Sequence, residues 1–466
     1  MPYMTREEIV SKALSRLGFT PTLEQARLLH ALGAFAAAHT LRDVFVLNGY
    51  AGTGKTSVMG AFTNALADCG KRTVILAPTG RAAKVAAALS GRPASTIHKR
   101  IYRGNSTDPG NDSFFLAPNN DRDTIFIVDE ASLIGDSPIA SQSLLAQLVR
   151  HVYSAPGCAM VLVGDTAQLP PVGQAESPAM NPERLKQLGL APVCFSLDTP
   201  VRQQAGSGIL YNATTARTFI SGKYEPENYT IYQSGFEDVD VISSRDLADA
   251  LSDSWGEVGQ DETLIITRSN RRANDYNRAI RNLVMGAEEP LQRGDRIVIS
   301  KNDYYWSKVN KMQGFLANGE TAEVTWVGRA EKMYGRYFTD VDLRLGPEGP
   351  EIGAKIMLRS LISEGPQLPR PEMERLYQRV MAESEGSISE KIKFAMEDPY
   401  FNALQAKYAY CVTCHKSQGG QWRHVYIDMG AIDYSAIDST FYRWLYTAMT
   451  RATEKLFLIN PSFSIE

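Results

Sequence analysis

NGYAGTGKTS, residues 48–57, is the stretch from which the rest of the chain can be read. Gly49, Gly54, Lys55 and Thr56 fill the pattern G-x-x-x-x-G-K-[ST], with Gly52 and Thr53 between the two anchoring glycines. An apolar run, Val44–Leu47, precedes it, and Val58, Phe62 and Leu66 recur every four residues after it. A strand, a glycine-rich turn and a helix are the setting this pattern needs. The glycines let successive backbone N–H groups face phosphate oxygens, and the helix N-terminus adds partial positive charge. The spacing places Lys55 to bridge the β- and γ-phosphates and the Thr56 hydroxyl to ligate Mg²⁺.

Working outward, the first half alternates apolar runs with helical patterns. Val44–Leu47, Thr73–Ala77, Thr124–Val128, Met160–Val163 and Val193–Leu197 are expected as parallel strands buried on both faces. Such alternation implies a doubly wound α/β unit. Residues 99–122, rich in Gly, Pro, Asn and Asp, interrupt it as an inserted loop or hairpin. A second α/β unit begins near Asp198, with strands at Val239–Ile242 and Thr263–Thr267. Residues 291–362 then carry short alternating segments; Val341, Leu343 and Leu345 alternate with Asp342 and Arg344. They are expected to form a small β-barrel insertion. Met373, Leu376, Tyr377, Val380 and Met381 follow helix period. Alternation resumes near Lys407, with strands at Val425–Met429 and Leu456–Ile459, so the second unit is expected to be discontinuous.

The 466 residues suggest several domains. With 44% hydrophobic and 22% charged residues, the composition is that of a globular soluble protein. No apolar run approaches a membrane span, and MPYMTREEIV does not read as a secretory signal. The expected location is cytoplasmic. A net charge of −3 and a pI near 6.2 rule out a chain coated in basic charge, while leaving room for a narrow basic groove. Five scattered cysteines fit a reducing compartment. Cys411, Cys414 and His415 have zinc-like spacing, but a closed site needs four ligands and no second pair exists. The two thiols read as packing residues on a strand.

Asp129 and Glu130 end the run Thr124–Val128, at the edge of a parallel strand that faces the ligand crevice. Asp129 is expected at Mg²⁺, and Glu130 to polarise an attacking water. Gln168, in GDTAQLPP (residues 164–171), places an amide to sense the γ-phosphate.

Taken in order, these segments resemble the superfamily 1B DNA helicases, specifically the RecD-like group with its phage Dda-type members. Phe19, Thr20 and Gln25 resemble the adenine-reading Q motif, and residues 49–56 motif I. Residues 77–83 (APTGRAA) are similar to motif Ia, and 95–98 (STIH) to motif Ib. VDEAS at 128–132 is similar to motif II and the segment 164–173 to motif III. Leu197 with Val201, Arg202 and Gln203 resembles the family's L-x-x-x-x-R-Q segment; 413–419 (TCHKSQG) resembles motif V and 446–452 (YTAMTRA) motif VI. Cys414 departs from the aliphatic or aromatic residue usual there, and 363–405 carries no clear motif.

The resemblance implies two RecA-like P-loop domains, an inserted hairpin subdomain and an inserted SH3-like β-barrel subdomain. The first domain would span 1–197 with the hairpin at about 99–122, the second 198–290 and 406–466, and the barrel with its helical extension 291–405. It implies ATP and Mg²⁺ in the cleft between the domains, with Gln25 on the adenine and Arg202 and Arg451 reaching the γ-phosphate from the far side. Thr79, Thr96 and His98, with Thr413, His415 and Lys416, would grip a DNA backbone without reading sequence. Phe114 and Phe115, an aromatic pair in the hairpin, would be a wedge stacking on the junction base pair. Movement 5′→3′ follows from the resemblance alone. The implied partners are single-stranded DNA, forked or tailed duplex, and replication or recombination proteins such as a single-strand-binding protein. A phage or bacterial source would be typical. The alternative output of the same engine is a DNA-stimulated ATPase that translocates or remodels protein–DNA complexes without efficient unwinding. RNA as substrate and a non-enzymatic scaffold are the other readings. The aromatic and basic run Lys301–Trp306, with Lys308 and Lys311, divides between strand binding and barrel core.

Overall fold

The computed structural model describes residues 5–104, 114–136, 143–201, 206–312, 315–346, 349–365 and 367–466. The strands of the first lobe are β1 (Asp43–Gly49), β2 (Arg72–Ala77), β3 (Ala94–Thr96), β4 (Tyr102–Gly104), β5 (Phe114–Leu116), β6 (Thr124–Val128), β7 (Ala159–Gly164) and β8 (Ala191–Leu197). Six form one parallel sheet in the order β3-β2-β6-β7-β1-β8. Residues alternate across it. Phe45 and Leu47 pack with Val58, Phe62 and Leu66 of the helix Lys55–Asp68, whereas Val44 and Val46 pack on the other face with Leu145 and Leu148. Burial on both faces holds for β6 and β7, in which every residue is buried. It fails for β8. That strand lies at the sheet edge and leaves Val193 45% exposed, because an edge strand has a neighbour on one side only. The segment after β3 forms a short antiparallel ladder in which Tyr102 faces Leu116 and Gly104 faces Phe114.

The chain continues through β9 (Thr230–Ile231), β10 (Val239–Ile242) and β11 (Thr263–Thr267). It then builds β12 (Arg296–Ile299), β13 (Thr321–Val327), β14 (Glu331–Met333), β15 (Arg336–Leu345), β16 (Glu351–Met357) and β17 (Ala406–Tyr408). It returns as β18 (Cys411–Thr413), β19 (Trp422–Asp428) and β20 (Ala452–Ile459), and ends in β21 (Ser464–Ile465), which pairs with β9. The second sheet is parallel, in the order β10-β20-β19-β11-β18. Its strands come from both sides of the intervening segment. That segment forms an antiparallel sheet, β14-β15-β13-β12-β17, with β16 on β15. The helical period at 373–381 forms part of the helix Arg370–Glu383, whose Leu376 and Val380 are buried.

The antiparallel sheet shares a core with the second parallel sheet: Ile297, Val324 and Leu343 pack with Ile265, Tyr426 and Phe457. Trp306 belongs to this core, its indole N–H donating to the Asn402 carbonyl at 2.8 Å. Tyr305 donates to the Glu397 carbonyl at 3.0 Å. Two of the three aromatic residues in that run are therefore packing groups.

A buried ion pair fixes the junction. Arg281, on a π-helical turn at Ile280–Val284, reaches Asp295 through two hydrogen bonds of 2.8 and 3.0 Å. Asp295 also accepts from the Tyr410 hydroxyl at 3.0 Å and the Gln292 N–H at 2.8 Å. Removing one partner strands a buried charge, which costs about 3–5 kcal/mol. Asp295→Ala should therefore sharply lower the urea midpoint of the second lobe. Tryptophan fluorescence reads that lobe and its antiparallel sheet selectively, since all five tryptophans lie between Trp255 and Trp444. An unchanged midpoint would show that the pair is not the fastener.

Candidate nucleotide cleft and nucleic-acid groove

The phosphate loop leaves the C-terminal edge of β1 between β7 and β8, the place where open parallel sheets bind ligands. Gly54 caps the following helix at φ +81°, a left-handed conformation that suits glycine. The Lys55 ammonium donates to the carbonyls of Gly49 and Tyr50. Thr53 closes the turn with a 2.8 Å hydrogen bond to the Tyr50 carbonyl. The Val201 N–H donates to the Gly52 carbonyl at 2.8 Å, tying the start of the inter-lobe linker to the loop.

Gln25 lies beneath this loop and is 1% exposed. Its amide nitrogen donates to the Thr53 carbonyl at 3.0 Å, while its amide oxygen accepts from the Thr22 N–H in a capping box. The structure thus gives Gln25 a loop-holding role that its motif position did not disclose. One turn position earlier, Glu24 accepts from the N–H groups of Asp198 and Thr199 and from the Thr199 hydroxyl.

Asp129 and Glu130 follow β6, with Glu130 in the left-handed region at φ +52°. Asp129 accepts a 2.9 Å hydrogen bond from the Glu130 N–H. Burial, then the adjacent Glu130 charge, push its carboxyl up to about 6, against some relief from Lys55. Hard oxygen donors carrying uncompensated negative charge suit a divalent cation. Asp129 and the Thr56 hydroxyl, which opens the helix beside Lys55, therefore fit Mg²⁺.

The loop after β7 completes the cleft. Asp165 is 1% exposed and lies 3.9 Å from the Lys55 ammonium. Three residues on, Gln168 is buried and its amide oxygen finds no partner among the described residues. Such an orphan is costly unless a ligand or water meets it.

From the second lobe, the helix Ser439–Met449 faces this loop. The Tyr446 hydroxyl donates to Asp165 at 2.7 Å and accepts from the Ala51 N–H at 2.7 Å. The Thr447 hydroxyl accepts from the Leu169 N–H at 2.7 Å, and Arg443 donates to the Thr166 carbonyl. Burial lowers the Arg443 guanidinium, against the opposing charges of Asp165 and Glu176. Arg217 stacks over the Tyr50 ring at 4.0 Å. Arg451, by contrast, is 4% exposed and turned back on its own segment. It donates to the carbonyls of Thr447 at 3.0 Å and Gly420 at 3.1 Å and to the Thr450 hydroxyl at 3.3 Å. Arg202 and Gln203 lie outside the described residues. Sequence reading missed Tyr446 as a contact, and also Arg443 and Arg217; only the place of Tyr446 in the motif VI segment could have drawn attention to it.

On the other side of the lobes lies a cavity of about 240 Å³. Thr79 and Arg81 line it from the first lobe, His415, Lys416, Gln418 and Trp422 from the second, and Arg296, Ser300 and Asn318 from the antiparallel sheet. The lobes meet tightly here. A Cβ on Gly419, at φ +73°, would lie 2.9 Å from Ala82 and 3.0 Å from the Thr79 hydroxyl. Arg81 stacks over Trp422 at 3.8 Å, and burial lowers its guanidinium to about 10. Thr79 and Thr96 each cap a helix by accepting a backbone N–H at 3.2 Å, which leaves the hydroxyl proton to donate outward. Burial, then the Lys416 charge, push Lys407 down to about 8. The cavity brings Thr79, His415 and Lys416 together; Thr96, His98 and Thr413 are not among its lining residues. Phe115 is 58% exposed and pairs with Arg103. The side chain of Phe114 and residues 105–113 lie outside the described residues.

Residues 25–194 match the model of an AAA domain, and residues 408–459 match that of the UvrD-like helicase C-terminal domain. Between them these matches carry both walls of the cleft. The ATP-dependent RecD2 DNA helicase of Deinococcus radiodurans is 29% identical over 317 residues. Together these matches support a superfamily 1B helicase. The ATP-dependent DNA helicase dda of Enterobacteria phage T4 is 33% identical over 136 residues, 28% of this chain. The RecD2 match covers 65% of this chain and 39% of the relative, and the dda match 29% of the relative, so the chain spans well under half of each. The crystal structure of a Bacteroides Pif1 helicase with ADP-AlF3 and ssDNA superposes with a TM-score of 0.50 at 16% identity, over 95% of this chain and 93% of that one. That likeness is one of fold.

The zinc-like spacing has no partner ligands. Cys411 and Cys414 are buried, burial pushes the Cys414 thiol up to about 12, and no metal-binding cluster occurs among the described residues. Nor is any helix among them long and apolar enough to cross a membrane.

The acidic pair gives a pH test. Asp129 has its carboxyl raised from 3.8 to about 6, so the folded protein favours the protonated form. That contribution is fully present below the unfolded value and is lost as pH rises through 6. In EDTA, Asp129→Asn should therefore be more stable than the parent at pH 8, by about 2 kcal/mol. The advantage should fade between pH 6 and pH 4 in thermal melts. An advantage independent of pH would show that ionised Asp129 is not the strained group.

Proposed function

We propose that the protein is an ATP-dependent DNA helicase that moves 5′→3′ along single-stranded DNA and separates the duplex ahead of it. One observation carries the reading: the cleft and the groove share a wall. Gln418, which lines the groove, donates to the Leu169 carbonyl at 2.7 Å. Leu169 follows Asp165 in the loop that approaches Lys55 to 3.9 Å. A strand in the groove and a nucleotide on the loop would therefore act on the same segment. The activities of RecD2 and dda, both ATP-dependent DNA helicases, support the same reading, as does the ssDNA held by the Bacteroides Pif1 helicase.

In this reading Lys55 and the loop N–H groups hold the β- and γ-phosphates, and Gln25 would take the adenine only on leaving the Thr53 carbonyl that it now holds. Thr56 and Asp129 hold Mg²⁺, which offsets charge on the phosphates. Glu130 orients the attacking water, Gln168 senses the γ-phosphate, and Arg202 and Arg451 complete the site on closure. Closure requires Arg451 to leave the carbonyls it now holds. Thr79, Thr96, His98, Thr413, His415 and Lys416 grip the phosphate backbone. Residues 1–197 move against 198–290 with 406–466, which carry 291–405 with them; the hairpin at 99–122 and the barrel-like sheet are inserted subdomains. A single-strand-binding protein is the natural partner on the product strand.

Single-stranded DNA should raise the ATPase kcat manyfold, and Lys55→Ala should reduce the stimulated rate by about 10²–10³-fold. A duplex with a 5′ tail should be unwound and one with a 3′ tail should not. Absence of stimulation with intact ATP binding would overturn the reading. Replacing Phe114 and Phe115 together with Ala should reduce unwinding at least tenfold and spare the stimulated ATPase. If both activities fell together, or neither fell, the wedge role would be lost.

A further inference from the structure

We infer that Tyr446 is a positioning residue that couples the nucleic-acid groove to the phosphate loop through its hydroxyl; this rests on the reading proposed above. Its contact with the Ala51 N–H joins the helix Ser439–Met449 of the second lobe directly to the phosphate loop. The same oxygen donates to Asp165 at 2.7 Å, and Tyr446 is 2% exposed. Asp165 has its other oxygen on the Ala167 N–H at 2.9 Å. The hydroxyl therefore satisfies Asp165 on the side where Lys55 stands 3.9 Å away. With that oxygen occupied, Lys55 stays on the Gly49 and Tyr50 carbonyls, poised for phosphate.

The connection to the groove is equally direct. Leu169 is clasped from both sides, its N–H by Thr447 and its carbonyl by Gln418, each at 2.7 Å. Thr447 is the next residue on the helix that carries Tyr446, and Gln418 lines the groove. A strand that displaces Gln418 moves Leu169 and that helix together, and the Tyr446 hydroxyl passes the displacement to Ala51 and Asp165. This is a physical chain of hydrogen bonds rather than mere intermediacy in space.

The test uses Tyr446→Phe, with Tyr442→Phe as control. Tyr442 lies on the same helix, and its buried hydroxyl has no hydrogen-bond partner among the described residues. ATPase rates are measured with and without single-stranded oligonucleotide, and oligonucleotide affinity by anisotropy without nucleotide. In Tyr446→Phe the stimulation factor, the ratio of the two kcat values, should fall at least tenfold while oligonucleotide affinity stays within twofold. Tyr442→Phe should keep the parent factor. An unchanged factor in Tyr446→Phe overturns the inference, including the case in which both rates fall in proportion, as a merely structural role would produce. An equal loss in Tyr442→Phe also overturns it. A parent protein without stimulation overturns the helicase reading itself, an outcome read from the parent alone.

Discussion

A carboxylate buried at the meeting of two lobes constrains this molecule more than any other group. Asp165 is 1% exposed, and a buried charge is tolerated only when its partners are held in place. Those partners come from three segments: Ala167 from its own turn, Lys55 from the phosphate loop and Tyr446 from the other lobe. Asp165 thereby ties the loop after β7 to the helix Ser439–Met449 of the second lobe. Apolar packing follows the same joint, since Ala167 and Leu169 of the first lobe belong to the core of the second, and Tyr50 and Ala51 pack against it.

The antiparallel sheet extends this constraint to the groove. Its attachment through Arg281 and Asp295 is buried and multiply hydrogen-bonded, so the sheet moves with the second lobe. The cavity wall contributed by Arg296 and Ser300 therefore shifts with His415 and Lys416, while Thr79 belongs to the first lobe. Any change in the angle between the lobes opens or narrows the groove between these walls. Behind that wall Lys407 is held near 8 by burial and by Lys416, with its ammonium on the Ser363 carbonyl and hydroxyl.

Sequence disclosed most where structure is local. β6 and β11 span the apolar runs at 124–128 and 263–267 to the residue, because strands flanked by two neighbours must be apolar on both faces. β8 has the same composition and is an edge, a distinction set by sheet order, which no run of residues encodes. The phosphate loop was legible because its chemistry is contiguous. The contacts that close the cleft were not: Ala51 and Tyr446 are 395 positions apart, and Gln418 and Leu169 are 249 apart. Motif identity also hid second duties. Gln25 is tied up in a helix cap and a loop carbonyl, and Arg451 holds the end of its own helix. A motif says that a side chain is needed, and only its neighbours say in which state of the cycle.

The strength of the joint matters as much as its location. A buried ion pair between the lobes would cost about 3–5 kcal/mol to break by losing one partner, and would tend to lock the cleft. A neutral hydroxyl bridging an N–H and a carboxylate contributes less, about 1.5–3 kcal/mol for the charged contact. Nucleotide phosphates offer the loop N–H groups and Lys55 several charge-assisted hydrogen bonds of comparable strength. The Tyr446 bridge therefore persists against thermal motion without locking the lobes as an ion pair would. Arg451 fits the same logic: its donors rest on backbone carbonyls and a hydroxyl rather than on a carboxylate, so a phosphate can compete for them. The lobes are joined here by hydrogen bonds for which phosphate oxygens can compete.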